Sequence, residues 1–232
     1  MENKMKHCYE RYIPLIFDND GSRGTDQYFK RDIEAEPNKL ELELLQNPEL
    51  VLDVLHATFT NIERHLSKYT GFQLSNALNC IFDTGLSDYG FVLRDKDTDQ
   101  EKRFETLHAL SDLILYIFED TAEPVLGHLN QKPENKLKHH LNGVCYMFWD
   151  IACIPHGCDR ECIDICLEVM GKCARSSNIA VVEGALHGLG HARGLADHNT
   201  IQRYIRKANF GNGPESDALR RYAKAANLDL IQ

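Results

Sequence analysis

Glycine and proline are scarce in this chain, 15 and 7 of 232 residues. That scarcity excludes a collagen and a low-complexity polypeptide. With 43% hydrophobic residues the chain has the means to bury a sizeable core instead of staying disordered. Long apolar runs are also missing. No stretch reaches the roughly 18 uncharged apolar residues of a membrane span, and the most apolar one, Val144 to Ile154, is short and carries Asp150. Met1 to Lys6 has no apolar signal core behind it. Period-2 alternation is nearly absent, which argues against a sheet. These absences predict a soluble, cytoplasmic, all-α protein, with one large domain over 1–232.

The eight cysteines do not read as a disulfide framework. Six of them (Cys145, Cys153, Cys158, Cys162, Cys166 and Cys173) fall in one short region, mostly within apolar helical patterns. A chain of this length needs no staples, so they are expected to be reduced thiols. Charge is uneven. Residues 1–120 hold 13 Lys/Arg against 23 Asp/Glu, a net of −10, whereas 121–232 hold 13 against 12. Arg193 to Lys224 carries seven basic residues against three acidic ones. The overall charge of −9 disfavours nonspecific nucleic-acid binding, and the acidic N-terminal part would attract a cationic partner.

Apolar residues recur with helical period along most of the chain. Helices are expected at about Met5–Phe17, Pro48–Lys68, Phe72–Phe82 and Glu101–Phe118, with loops at Asp18–Thr25 and Gly85–Thr98. Beyond about residue 130 the pattern becomes regular, with helix starts near Leu137, Asp159, Asn178, Asp197 and Pro214. Starts about 20 residues apart make helix pairs recur about every 40, the spacing of HEAT or armadillo arrays. Asp159, Asn178 and Asp197 are suitable N-caps. The expected division is irregular N-terminal helices over 1–130 and helix pairs over 131–232.

The stretch Val182-Glu183-Gly184-Ala185-Leu186-His187-Gly188-Leu189-Gly190-His191 resembles the second helix of a HEAT-type repeat. With Cys145-Tyr146-Met147-Phe148-Trp149-Asp150-Ile151 upstream, the chain is similar to a group of bacterial HEAT-like helical proteins. The likeness covers Leu137–Gln232 best and fades before residue 100. It implies a superhelix of antiparallel helix pairs. It also implies a scaffold, adaptor or inhibitory role, although a few HEAT-like proteins are DNA glycosylases. No catalytic motif comes with it.

His187 and His191, at i and i+4, share a helix face, and Asp197 or His198 shortly afterwards would complete a zinc site. The general base of the zinc-protease signature must follow the first histidine, and Gly188 stands there, so a protease is not expected. On a helical wheel, Val181, Val182, Ala185, Leu189 and Ala192 form an apolar stripe. Ala180, Gly184, His187 and His191 lie roughly opposite, a face suited to close helix approach or to partner contact. Cys158, Cys162 and Cys166 are spread over about 12 Å of helix, too far to converge on one ion, and read as core thiols. Cys153, His156 and Cys158 in a turn remain a weaker possibility for a metal. Asp95 to Glu101 lacks the Gly and the closing Glu of a calcium loop and reads as an acidic lead into a helix. Gly188-x-Gly190 has no strand before it and the wrong spacing for a dinucleotide loop.

Two functions are therefore expected in competition. The first is a protein–protein interaction scaffold that binds a cationic protein partner, as an immunity protein neutralises a toxin, with Tyr146, Trp149, Asp150, His187 and His191 as contact candidates. No membrane partner and no nucleic acid are expected. The second is a metal-dependent or nucleic-acid-processing enzyme using His187, His191, Asp197 or His198 as ligands. The sequence assigns no cofactor and no catalytic residue.

Overall fold

A computed structural model describes residues 2–18, 36–129, 140–152, 154–228 and 230. Among them the chain is all-α, and its only extended pairing is an isolated antiparallel bridge between Asp83 and Ala152. The first part holds α1 (Glu2–Arg11), α2 (Ile13–Phe17), α3 (Glu36–Leu45), α4 (Pro48–Thr60), α5 (Ile62–Leu66), α6 (Gly71–Phe82) and α7 (Gln100–Ile114). The second holds α8 (His140–Ile151), α9 (Arg160–Cys173), α10 (Ile179–His191), α11 (His198–Arg206) and α12 (Ser216–Asn227).

Helix starts follow local capping chemistry. Asn47 accepts from Leu50 N–H ahead of Pro48, and Thr70 forms a reciprocal capping box with Gln73. Asp99, Asp159, Asn178 and Asp197 accept the N–H groups of Lys102, Cys162, Ala180 and Thr200. The three C-terminal caps are those the sequence marks. The acidic stretch after Asp95 leads into α7 as expected.

Two expected helices are interrupted. Met5–Phe17 breaks near Tyr12, where Pro14 enters the first turn of α2. Pro48–Lys68 breaks at Asn61, where the side chains of Thr58, Thr60 and Asn61 donate to the carbonyls of Val54, His56 and Ala57. Polar groups that bond back onto the last turn compete with its continuation. Helix α3 and a 3-10 turn at Tyr89–Leu93 inside the expected 85–98 loop were not anticipated. Leu137, Cys153 and most of the 18–25 loop lie outside the described residues.

The helices stack in two rows. α6, α8, α10 and α12 pack in succession, and beside them α4, α7, α9 and α11 do the same. From α6 on, each helix rests on the helix two places further along the chain. Stacked helical hairpins do the same, because one hairpin alone cannot bury both of its apolar faces. Helix α10 also touches α9 and α11, closing the two rows onto one another. Phe59 of α4, Phe82 of α6 and Phe148 of α8 form an aromatic chain with centroid separations of 6.0 and 4.8 Å, joining the N-terminal helices to the second part of the core. Cys162, Cys166 and Cys173 are buried as small core hydrophobes.

Candidate metal centre

Three successive members of one row, α8, α10 and α12, build the site. Every residue of α10 from Ala180 to Gly190 is buried, so both faces of its wheel are packing faces. The small-residue face lies against α8. A Cβ at Gly184 would stand 2.4 Å from the Cys145 carbonyl oxygen, and one at Gly188 would stand 2.5 Å from the Trp149 ring. Glycine at these two positions brings the helices close enough for their polar side chains to touch.

At that approach three donor groups converge. His187 Nε2 lies 2.8 Å from Asp150 Oδ2. His191 Nε2 lies 3.2 Å from Asp150 Oδ1 and 3.2 Å from His187 Nε2. Among the described residues, this is the only group of three or more His, Cys, Asp or Glu side chains gathered tightly enough for one ion. Donors bound at 2.0–2.2 Å to one tetrahedral ion stand ~3.3 Å apart, so the triangle has the size a metal requires.

The surroundings fix His187. Its Nδ1 meets the Tyr222 hydroxyl from α12, which lies 3.1 Å from the Tyr146 hydroxyl of α8. A partner on the outer nitrogen sets the tautomer and orientation of a ligating imidazole. Burial lowers the His187 pKa below the usual imidazole value, against the raising influence of Asp150. The neutral ring a metal needs is thereby favoured. Burial also raises Tyr222 and Tyr146, which holds both phenols protonated. His187 is only 1% exposed, whereas the Asp150 and His191 side chains are 27% and 36% exposed. The centre is thus anchored inside and open on one side.

A buried carboxylate holds the rim. Glu183 is fully buried and accepts the backbone N–H groups of Gly127, His128 and Leu129. Asn142 donates to the carbonyls of Glu123 and Val125 in the same loop. The loop presents His128, whose ring stacks on Tyr146 at 4.6 Å, and Tyr146 in turn lies 4.2 Å from His187. Burial pushes Glu183 up to about 7, although the three N–H donors favour its ionised form.

The structure brings together His187 and His191 but not the other two ligand candidates. Asp197 is occupied as the N-cap of α11, and His198 lies against Arg193 and Gln202. Asp150, marked in the sequence as a contact residue, stands where the third ligand was sought. Of the five contact candidates, Tyr146, Trp149 and His187 are buried, and only Asp150 and His191 reach the surface. Tyr222, Glu183 and His128 were not singled out in the sequence as site residues. A charged side chain in the most apolar run was the one signal for Asp150. Cys158 and His156 do not join a metal-sized cluster among the described residues.

No family model, curated protein or solved structure matches the chain. None of the described helices is long and apolar enough to cross a membrane.

Proposed function

We propose that the protein is a HEAT-like helical-repeat metalloprotein of the cytoplasm, whose working part is a divalent transition-metal centre held by Asp150, His187 and His191. The observation that carries this reading is the convergence of two Nε2 atoms and one carboxylate on a single point. The donor set, two imidazoles and one carboxylate, suits zinc and its first-row neighbours. The stacked rows supply a frame for it, and the free thiols of Cys145, Cys158, Cys162 and Cys173 agree with a reducing compartment.

Zinc titration into metal-free protein tests the reading. One equivalent should bind tightly to the wild type, and His191→Ala and Asp150→Asn should each lose that affinity while keeping the helical circular dichroism of the parent. Unchanged binding in both variants would place the metal elsewhere. No binding at all would mean that the triangle is held by protons, each ring donating to one oxygen of Asp150.

A second reading, recognition of a cationic protein as by an immunity protein, draws on the net charge of −10 in residues 1–120. Its test is affinity for such a partner that falls with ionic strength and maps to the N-terminal part. Binding confined to the C-terminal helices would remove it.

A further inference from the structure

Two cysteines at the start of α9 have no part in the metal reading. Cys158 closes the turn that opens at Pro155, donating its backbone N–H to the Pro155 carbonyl at 3.1 Å. Asp159 follows as the N-cap and accepts the Cys162 N–H at 3.0 Å. Cap and turn together fold Cys158 back over the first turn of α9, and the Cys158 and Cys162 thiols are hydrogen-bonded to one another. A disulfide needs Cβ atoms about 3.5–4.5 Å apart, so cysteines already in side-chain contact are the ones that can form it without moving the backbone.

Burial separates the roles of the two thiols. Cys158 is half-buried, whereas Cys162 is fully buried with its Sγ 3.9 Å from the Leu93 carbonyl oxygen. The contact with Cys158, ahead of burial, holds the Cys162 thiol well above its ordinary range, so Cys162 keeps its proton. Arg94 stands over the turn before Cys158, its Nη1 donating to the His156 carbonyl at 2.9 Å and lying 2.8 Å from where a Cβ on Gly157 would be. Arg103 Nη2 lies 3.6 Å from Asp159 Oδ2 and offsets the charge of that carboxylate. An accessible sulfur at a helix N-terminus, next to a second thiol that can resolve it, is the arrangement of a redox-sensing pair.

We propose that Cys158 and Cys162 are a reversible oxidation site that closes to a disulfide when the protein meets hydrogen peroxide. The Cys158 sulfur attacks one peroxide oxygen. The S–O bond forms, the O–O bond breaks, and the departing hydroxide leaves as water with the proton of the Cys158 thiol. The Cys162 sulfur then attacks the sulfenic sulfur of Cys158. The S–S bond forms, the S–O bond breaks, and hydroxide leaves as a second water with the Cys162 proton. The dithiol is oxidised by two electrons and the peroxide is reduced to two waters. Closure also removes the Cys162 S–H that faces the Leu93 carbonyl, so oxidation reaches the contact between α9 and the 3-10 turn Tyr89–Leu93.

The test exposes reduced, full-length, chelator-treated protein to one equivalent of hydrogen peroxide, blocks the remaining thiols by alkylation and maps the peptides by mass spectrometry. The expected product has lost two hydrogens, carries a bond between Cys158 and Cys162, and returns to the dithiol with dithiothreitol. Cys158 should react several-fold faster than the buried Cys145 and Cys173. Cys158→Ser should lose the disulfide, and Cys162→Ala should stop at a Cys158 sulfenic acid that dimedone traps. The wild-type map and the partly exposed Cys158→Ser variant keep the test decisive if Cys162→Ala fails to fold. A disulfide from Cys158 to any other cysteine, a Cys158 sulfenic acid that persists in the wild type, or oxidation of the buried cysteines ahead of Cys158 would overturn the proposal.

Discussion

At the scale of single residues, the site is a contrast between one buried imidazole and two exposed ligands. His187 sits where the Tyr222 hydroxyl reaches its Nδ1, so Nε2 faces Asp150 and His191. Tyr222→Phe removes that hydroxyl with little change of shape, and loss of such an outer partner typically costs 10–100-fold in metal affinity. Equilibrium competition with a chelator should therefore show zinc binding weakened by about that factor. An unchanged constant would reduce Tyr222 to a packing residue. Glu183 makes a separate prediction. Its pKa is about 7 in the folded protein against an ordinary 4.5, so between those values the folded state keeps a proton that the unfolded state has released. Stability then falls as pH rises from about 4.5 to 7, by on the order of 3 kcal/mol from this group. The Glu183→Gln variant should lose that part of the slope in urea titrations across pH. It should also be less stable overall by about 1–3 kcal/mol, because its amide NH2 would face the N–H groups of the 127–129 loop. The sequence made His187 and His191 visible because i and i+4 residues share a helix face. Asp150 and Tyr222 lie 37 and 35 residues from His187 on other helices, and no local spacing rule connects them.

At the scale of elements, the α8–α10 contact decides whether the triangle forms at all. Gly184 meets a backbone carbonyl that has no room to rotate away, so Gly184→Ala forces the two helices apart. The added methyl should cost about 1–3 kcal/mol net of its better helix propensity, and it should weaken metal binding by separating Asp150 from His187. Gly143, on the same α8, has nothing within 4 Å of its Cβ position, and Gly143→Ala should be neutral or stabilising by up to about 1 kcal/mol. Thermal unfolding of the pair separates close packing from propensity. Equal effects would show that the approach of α8 is not limited by Gly184. The caps Asp159, Asn178 and Asp197 were legible because they act within one turn. The breaks at Tyr12 and Asn61 were not, because an apolar period continues across both and only polar side-chain bonding or Pro14 stops the helix. The helical wheel of α10 put Gly184 and His187 on its small-residue face, and both meet α8. Which neighbour covers the small one depends on a helix 39 residues upstream, where Cys145 and Trp149 face Gly184 and Gly188.

At the scale of the whole molecule, the two stacked rows make an internal frame, and the proposed ion joins α8 to α10 at its centre. A ligand that binds only the folded state adds about 4 kcal/mol at a thousand times its dissociation constant. For a chain of this size that corresponds to roughly 8–16 °C in the unfolding midpoint. Zinc should raise the midpoint of the wild type by that order and leave His191→Ala unmoved. An equal rise in both would mark the effect as nonspecific. The all-α class was legible from the helical period of the apolar residues, whereas which helices become row neighbours required the fold.

Elemental analysis of the untagged protein, purified without added metal or chelator, tests the central claim most directly. The account predicts about one zinc or other first-row metal ion per chain, with the metal absent from His191→Ala purified in parallel. A wild-type protein that carries no metal and takes up none on dialysis against zinc would contradict it, leaving Asp150, His187 and His191 as a proton-held clamp between two helices.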